Sequence, residues 1–286
     1  MWFNGFMVVI DMALEKLGQP LLRDQREALI LGAFREDVCT LPGSAWVFQS
    51  PSLTHFYRRR VPGGFIPFVW PGPVQRTERF FHRAVGAARR GRLAYACVQL
   101  GRAAHPLIDM SCPVHAQSVA HTTDPFEWCV EVMDEELRRL PAHDVGRPER
   151  VADVVEGLAL FAQSHMADKT NSPWGRLLRH LGRRRPLPAV LAREQARVLI
   201  PRAAGHTAAL FELFLARIEA RAPGDGGDLA QTLRSLQLSR AAVIRWLAQL
   251  ERFCRQHGGA RRYGGMLELI VRCRAALPES TEWLTC

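Results

Sequence analysis

Apolar residues recur at intervals of three and four along most of the chain, which is the pattern of amphipathic helices. Gly18 ends one such segment, and Asp124 followed by Pro125 is a typical helix start with Asp124 as the N-cap. Strand-like alternation is nearly absent. The sequence therefore predicts an all-α fold, with helical segments at 11–18, 23–34, 77–110 (one or two helices), 124–140, 150–168 and 187–222.

Two stretches interrupt this pattern. Residues 44–73 are rich in Pro, Gly and aromatic residues and predict a long irregular loop, and such loops are usually functional. The segment "APGDGGD" at 222–228 predicts a linker. We therefore expect a helical domain over 1–221, whose type is indicated by the motifs described below. Residues 222–286 are expected to form a linker and a helical extension of undetermined role.

The length and composition exclude several classes of protein. A chain of 286 residues can bury a sizeable core. The sequence contains no run of 18 uncharged apolar residues, so it predicts no membrane span. The N-terminus lacks the basic region and cleavage site of a signal peptide, which leaves the localisation undetermined. Seven cysteines without a CxxC pair predict neither a disulfide framework nor a cysteine–zinc site.

The net charge of +10 comes almost entirely from arginine. Guanidinium groups bind phosphate oxygens, so an anionic partner is one explanation. The other is a GC-rich genome that encodes its cations as arginine.

The segment "HPLIDMSCPVH" carries the clearest candidate chemistry. His105 and Asp109 are four residues apart, so both project from one helix face. Pro113 then ends the helix and lets the chain turn His115 toward the same cavity. Taken alone, the pair His105–Asp109 fits a hydrogen bond on a helix face as well as a metal site.

Further histidines and carboxylates in the N-terminal half favour a metal site. Imidazole and carboxylate without thiolate are the ligands of hydrolytic zinc. The seven candidate ligands are Asp37, His55, His105, Asp109, His115, His121 and Glu127. His206 lies on an apolar helix and is predicted to be a hydrogen-bonded core residue instead.

These motifs resemble the zinc-dependent phospholipase C and P1/S1 nuclease superfamily, whose members are all-helical enzymes with three zinc ions in a cleft. The resemblance covers about residues 8–218. It rests on "GAFRED", "THFY", "HPLIDMSCPVH", "HTTDPFE" and the helix "LIPRAAGHTAALFELFLARI". It implies one Zn²⁺ site formed by Asp37, His55, His105 and Asp109, and a second formed by His115, His121 and Glu127.

The chain departs from the family pattern at two places. His121 and Glu127 are six residues apart, where the family has a spacing of four, so Asp124 is the alternative ligand. The family's third zinc needs a histidine in the first helix and a free N-terminal Trp. Phe6 and a Trp2 preceded by Met1 stand there instead, so the third site is expected to be incomplete.

The resemblance implies hydrolysis of a phosphodiester, with Asp37 as general base and Arg58 and Arg59 as substrate-binding residues, unless these arginines belong to a solvated loop. "GAFRED", "THFY" and Glu127 favour phospholipase C, which cleaves phospholipid head groups during transient contact with a membrane surface. The alternatives are a single-strand nuclease with a nucleic acid substrate, and a degenerate, non-catalytic zinc-binding member. The aromatic loop at 63–72 fits a lipid site, a base-stacking site or the core.

Overall fold

The computed structural model describes residues 3–36, 56–58, 71–119, 124–170, 175, 177, 180–181, 186–218 and 228–277. Over these ranges the chain forms helices and no strand, so the all-α prediction is confirmed. The helices are α1 (Phe3–Leu17), α2 (Pro20–Asp24), α3 (Arg26–Arg35), α4 (Pro73–Ala88), α5 (Leu93–Asp109), α6 (Pro113–Ala116), α7 (Pro125–Val132), α8 (Asp134–Leu137), α9 (Val151–Gln163), α10 (Ala189–Ile218), α11 (Leu229–Ser235), α12 (Arg240–Gln256) and α13 (Gly259–Ala275).

Several predicted helix ends agree with the structure. Gly18 follows α1 with a φ of +64°, a conformation that glycine adopts without strain. The segment 77–110 forms two helices, α4 and α5, which are separated at Gly91 by another positive φ, of +75°. The segment 23–34 differs from the prediction, because its helix is interrupted at Gln25.

Helix α1 begins eight residues earlier than the 11–18 pattern predicts. Its first half is buried on nearly all sides, including the polar residue Asn4. A helix that is buried all round carries no amphipathic stripe, so its periodicity could not be recognised. This burial places Phe6 in the interior of the bundle, completely inaccessible to solvent.

Helices α3 and α5 cross at very short distance, and glycine permits this on both sides. A Cβ atom on Gly32 would lie 2.2 Å from the backbone oxygen of Val98, and one on Gly101 would lie 2.0 Å from that of Leu29. Both contacts are with backbone, which cannot rotate away. The crossing therefore requires two glycines, and it brings the end of α3 beside the second half of α5.

Helix α10 is the longest helix in the described part of the chain. It is long and apolar enough to cross a membrane, but 67% of its apolar window is buried inside the fold. Such burial is what a core helix requires, so its composition is weak evidence for a membrane span.

The predicted extension forms α11, α12 and α13, while the residues 219–227 that hold most of the predicted linker lie outside the described ranges. The extension packs on the start of α1. The rings of Phe3 and Phe253 meet edge to face with centroids 5.5 Å apart, and the Asn4 side-chain amide donates to the backbone oxygen of Arg262 at 3.3 Å. The C-terminal helices thus cover the N-terminal end of the first helix.

Candidate metal centre

The end of α5 places His105 and Asp109 side by side in the interior. Both side chains are inaccessible to solvent, and His105 Nε2 lies 3.2 Å from Asp109 Oδ2. His105 Nδ1 lies 2.9 Å from the backbone oxygen of Ala33 in α3. A carbonyl oxygen can only accept, so Nδ1–H is the donor and Nε2 is oriented toward Asp109. Metal-binding histidines commonly use their second nitrogen in this way.

A second buried pair forms at the start of the next two helices. His115 Nε2 lies 3.2 Å from Glu127 Oε1, and both residues are buried. After α5 ends, the backbone N–H of Cys112 donates to the oxygen of Asp109 at 2.9 Å, and Pro113 then starts α6. This tight turn places His115 in α6, directly after the end of the helix that carries the first pair.

The structure distinguishes the roles of Asp124 and Glu127. Asp124 Oδ1 accepts from the backbone N–H groups of Phe126 at 2.9 Å and Glu127 at 3.2 Å, which confirms Asp124 as the N-cap of α7. Glu127 in the first turn directs its carboxylate toward His115. The geometry therefore favours Glu127 over Asp124 as the acidic partner of His115.

A short described piece of the long loop is attached to the second pair. The Tyr57 backbone N–H donates to the oxygen of His115 at 3.1 Å, and the Ser118 hydroxyl donates to the oxygen of Tyr57 at 2.7 Å. The Phe56 ring centroid lies 5.7 Å from that of His115. The chain directly after His55 is thus held against α6.

Four of the predicted site residues lie outside the described ranges. Arg58, in the described piece of the loop, is exposed to solvent, which fits a substrate-binding residue and a solvated loop equally. The residues outside the described ranges are Asp37, His55, Arg59 and His121.

Glu36, directly before the candidate ligand Asp37, forms a buried ion-pair cluster that sequence reasoning missed. Glu36 is 3% exposed, and its carboxylate accepts from Arg102 Nε at 2.6 Å and from Arg76. Burial opposes the charge on Glu36, but the two guanidinium groups outweigh it and lower the pKa of the carboxyl. Only the adjacent acids Glu36 and Asp37 in "GAFRED" could have indicated it. The cluster ties the end of α3 to α4 and α5.

Phe6 lies against the first pair. It is the residue at which the family resemblance leads us to expect a histidine. Its ring stacks on that of His105, with centroids 4.4 Å apart and an angle of 18° between the planes. A phenyl ring offers no lone pair to a cation. Residue 6 is therefore beside the candidate centre, and its side chain cannot be a ligand.

His206 occupies the core as predicted, but neither of its ring nitrogens makes the expected hydrogen bond within the described part of the chain. Burial lowers its pKa to about 4. Its ring packs against Gly157, where an added Cβ would lie 2.9 Å from the ring. His206 is 6% exposed, the same as His115, and the lowered pKa makes His206 neutral near pH 7.

The residues of the two pairs fit a zinc ion chemically. Buried carboxylates are costly unless they are paired, and each here has an imidazole within 3.2 Å. Imidazole nitrogen and carboxylate oxygen are the donors of catalytic zinc sites. No protein-family model and no curated protein sequence matches this chain. The likeness to the phospholipase C and P1/S1 nuclease superfamily therefore rests on the sequence motifs alone.

Proposed function

We propose that this protein is a zinc-dependent phosphodiester hydrolase of the phospholipase C type, acting on phospholipid head groups. The observation that carries the proposal is the presence of two buried histidine–carboxylate pairs, His105–Asp109 and His115–Glu127, at the ends of consecutive helices. The spacing of His105, Asp109 and His115 in the sequence matches the central motif of the superfamily. The all-α fold is the architecture that this assignment requires.

In this proposal each pair contributes to one metal site. Zinc, when bound, polarises phosphoryl oxygens and lowers the pKa of a bound water toward neutrality. The first site consists of Asp37, His55, His105 and Asp109, and the second of His115, His121 and Glu127.

The chain's own residues orient these groups. The backbone oxygen of Ala33 accepts a hydrogen bond from His105 Nδ1–H, which keeps Nε2 oriented toward Asp109. Asp37 is the candidate general base that takes the proton from the attacking water. Arg58 and Arg59 lie next to the loop that carries His55, where a positive charge attracts an anionic substrate.

A second candidate is a non-catalytic zinc-binding member of the same superfamily. The stacking of Phe6 on His105 favours it, because the third ion loses its histidine ligand. Two firmly bound zinc ions with weak or absent turnover would then be expected. Elemental analysis after dialysis, combined with hydrolysis of a chromogenic phosphodiester, separates the two candidates.

The test of the proposed function is a comparison of phosphatidylcholine with single-stranded DNA as substrates for the zinc-loaded protein. Release of the phosphorylated head group supports phospholipase C, and cleavage of DNA alone would move the assignment to the nuclease branch. Zinc binding without turnover of either substrate would leave the non-catalytic candidate. Phe6→His combined with a freed Trp2 amino terminus should then raise both zinc content and rate if residue 6 belongs to a third site.

His115→Gln and His206→Gln form a matched pair of variants for this test. Both histidines are 6% exposed, so the two substitutions disturb equally buried positions. His115→Gln should lose one zinc ion and most of the activity, whereas His206→Gln should retain both. Equal zinc content and equal rates in the two variants would contradict the assignment of His115.

A further inference from the structure

A cysteine lies beside the His115–Glu127 pair, although the spacing of the cysteines in the sequence indicated no cysteine–zinc site. The possible ligand atoms of Cys112, His115 and Glu127 all lie within 4.8 Å of one another. All three residues are buried, and Cys112 is completely inaccessible. A thiol, an imidazole and a carboxylate thus converge on one point inside the protein.

The local fold holds Cys112 firmly in this position. It is the N-cap of α6, and His115 follows three residues later, on the same side of that short helix. The Cys112 backbone N–H donates to Asp109 at 2.9 Å, and its oxygen accepts from Ala116 at 3.0 Å. The cysteine is therefore part of the turn that joins the two histidine–carboxylate pairs.

The distances suit a common metal ion. Ligand atoms bound to one tetrahedral zinc lie about 3.3–3.6 Å apart, given the usual zinc–nitrogen, zinc–oxygen and zinc–sulfur bond lengths. The 3.2 Å between His115 Nε2 and Glu127 Oε1 is close to this value. The upper limit of 4.8 Å leaves Cys112 within reach by a small side-chain adjustment.

We propose that Cys112 supplies a thiolate ligand to the metal ion held by His115 and Glu127. The Cys112 S–H bond breaks on binding, the sulfur keeps the electron pair and the proton goes to solvent. A thiolate selects zinc, cobalt or cadmium over the hard cations magnesium, calcium and manganese. The inference rests on the proposed function only in that it takes this pair to be one of the two metal sites, and it does not depend on the reaction.

The test is titration of the metal-free, full-length protein with Co²⁺, followed by absorption spectroscopy. A thiolate bound to Co²⁺ produces a charge-transfer band in the near ultraviolet that nitrogen and oxygen ligands do not produce. The unaltered protein and Cys97→Ala should give this band, and Cys112→Ala should lose it. Cys97 is the matched control because it is also completely buried but lies in the middle of α5. Mg²⁺ added in large molar excess over Co²⁺ should not reduce the absorbance of the band, because a hard cation does not compete for the thiolate.

Zinc X-ray absorption of the unaltered protein gives a second measurement that needs no variant to fold. We expect one sulfur neighbour per chain at about 2.3 Å. Bound metal with only nitrogen and oxygen neighbours would overturn the inference, as would a band that persists in Cys112→Ala.

The outcomes also separate this inference from the proposed function. If neither Co²⁺ nor Zn²⁺ binds, both are wrong. Sulfur ligation without phosphodiester hydrolysis supports the inference and removes the proposed function. Phosphodiester hydrolysis by a metal centre without a sulfur ligand supports the proposed function and overturns the inference.

Discussion

Substitution of Gly101 by alanine should separate α5, which carries the candidate ligands His105 and Asp109, from α3. The added Cβ would lie 2.0 Å from the backbone oxygen of Leu29, whereas close carbon–oxygen contacts in proteins are about 3.3 Å. The α3–α5 crossing must therefore open by about 1 Å. His105 Nδ1 donates across this crossing to Ala33 over 2.9 Å, so the same movement would break its hydrogen bond.

The expected loss of stability follows from these contacts. Overpacking of a well-packed core costs about 1–3 kcal/mol, and loss of the His105–Ala33 hydrogen bond adds about 1 kcal/mol. Replacing a helical glycine by alanine returns about 1 kcal/mol through backbone entropy. We therefore expect Gly101→Ala to lower the free energy of unfolding by about 1–3 kcal/mol. Disturbing a histidine's second hydrogen bond should weaken zinc binding about 10–100-fold.

Urea unfolding and zinc titration measure both effects, and Gly86→Ala is the matched control. A Cβ on Gly86 in α4 would meet only the guanidinium group of Arg90, at 3.5 Å, and that group can move. This variant should be as stable as the unaltered protein or gain up to about 1 kcal/mol. A Gly101→Ala protein with unchanged stability and unchanged zinc affinity would refute the reasoning.

Two further predictions concern carboxylates. Asp124→Ala should lower the free energy of unfolding in urea by about 1 kcal/mol and keep both zinc ions, because Asp124 caps α7. Glu127→Ala should lose one zinc ion, measured by elemental analysis. The reverse result would make Asp124 the ligand. Burial raises the pKa of Glu131 from 4.5 to about 7, so the stability it contributes is complete below pH 4.5 and is lost as the pH rises through 7. The free energy of unfolding of Glu131→Gln should therefore rise by about 3 kcal/mol relative to that of the unaltered protein as the pH increases from about 4 to 8. A difference in stability that is independent of pH would argue against a neutral Glu131 carboxyl in the fold.

The sequence by itself determined the features that depend on neighbouring residues. Gly18 ends α1 because glycine adopts a positive φ without strain, and Asp124 starts α7 because its side chain reaches N–H groups only two and three residues ahead. The His105–Asp109 pair follows from helix geometry, which brings residues four apart together. Such interactions need no knowledge of the remaining chain.

Only the tertiary structure decided which distant groups meet. Phe6 stacks on His105 across 99 residues, and Glu36 pairs with Arg102 across 66, because α1, α3 and α5 cross where they do. Cys112 joins His115 and Glu127 only through the turn after α5 and the packing of α7. Helix crossings result from many small packing contacts and from glycines that admit close approach. No local pattern records the sum of those contacts, so neither the Phe6 stack nor the position of Cys112 beside His115 and Glu127 could be predicted from spacing.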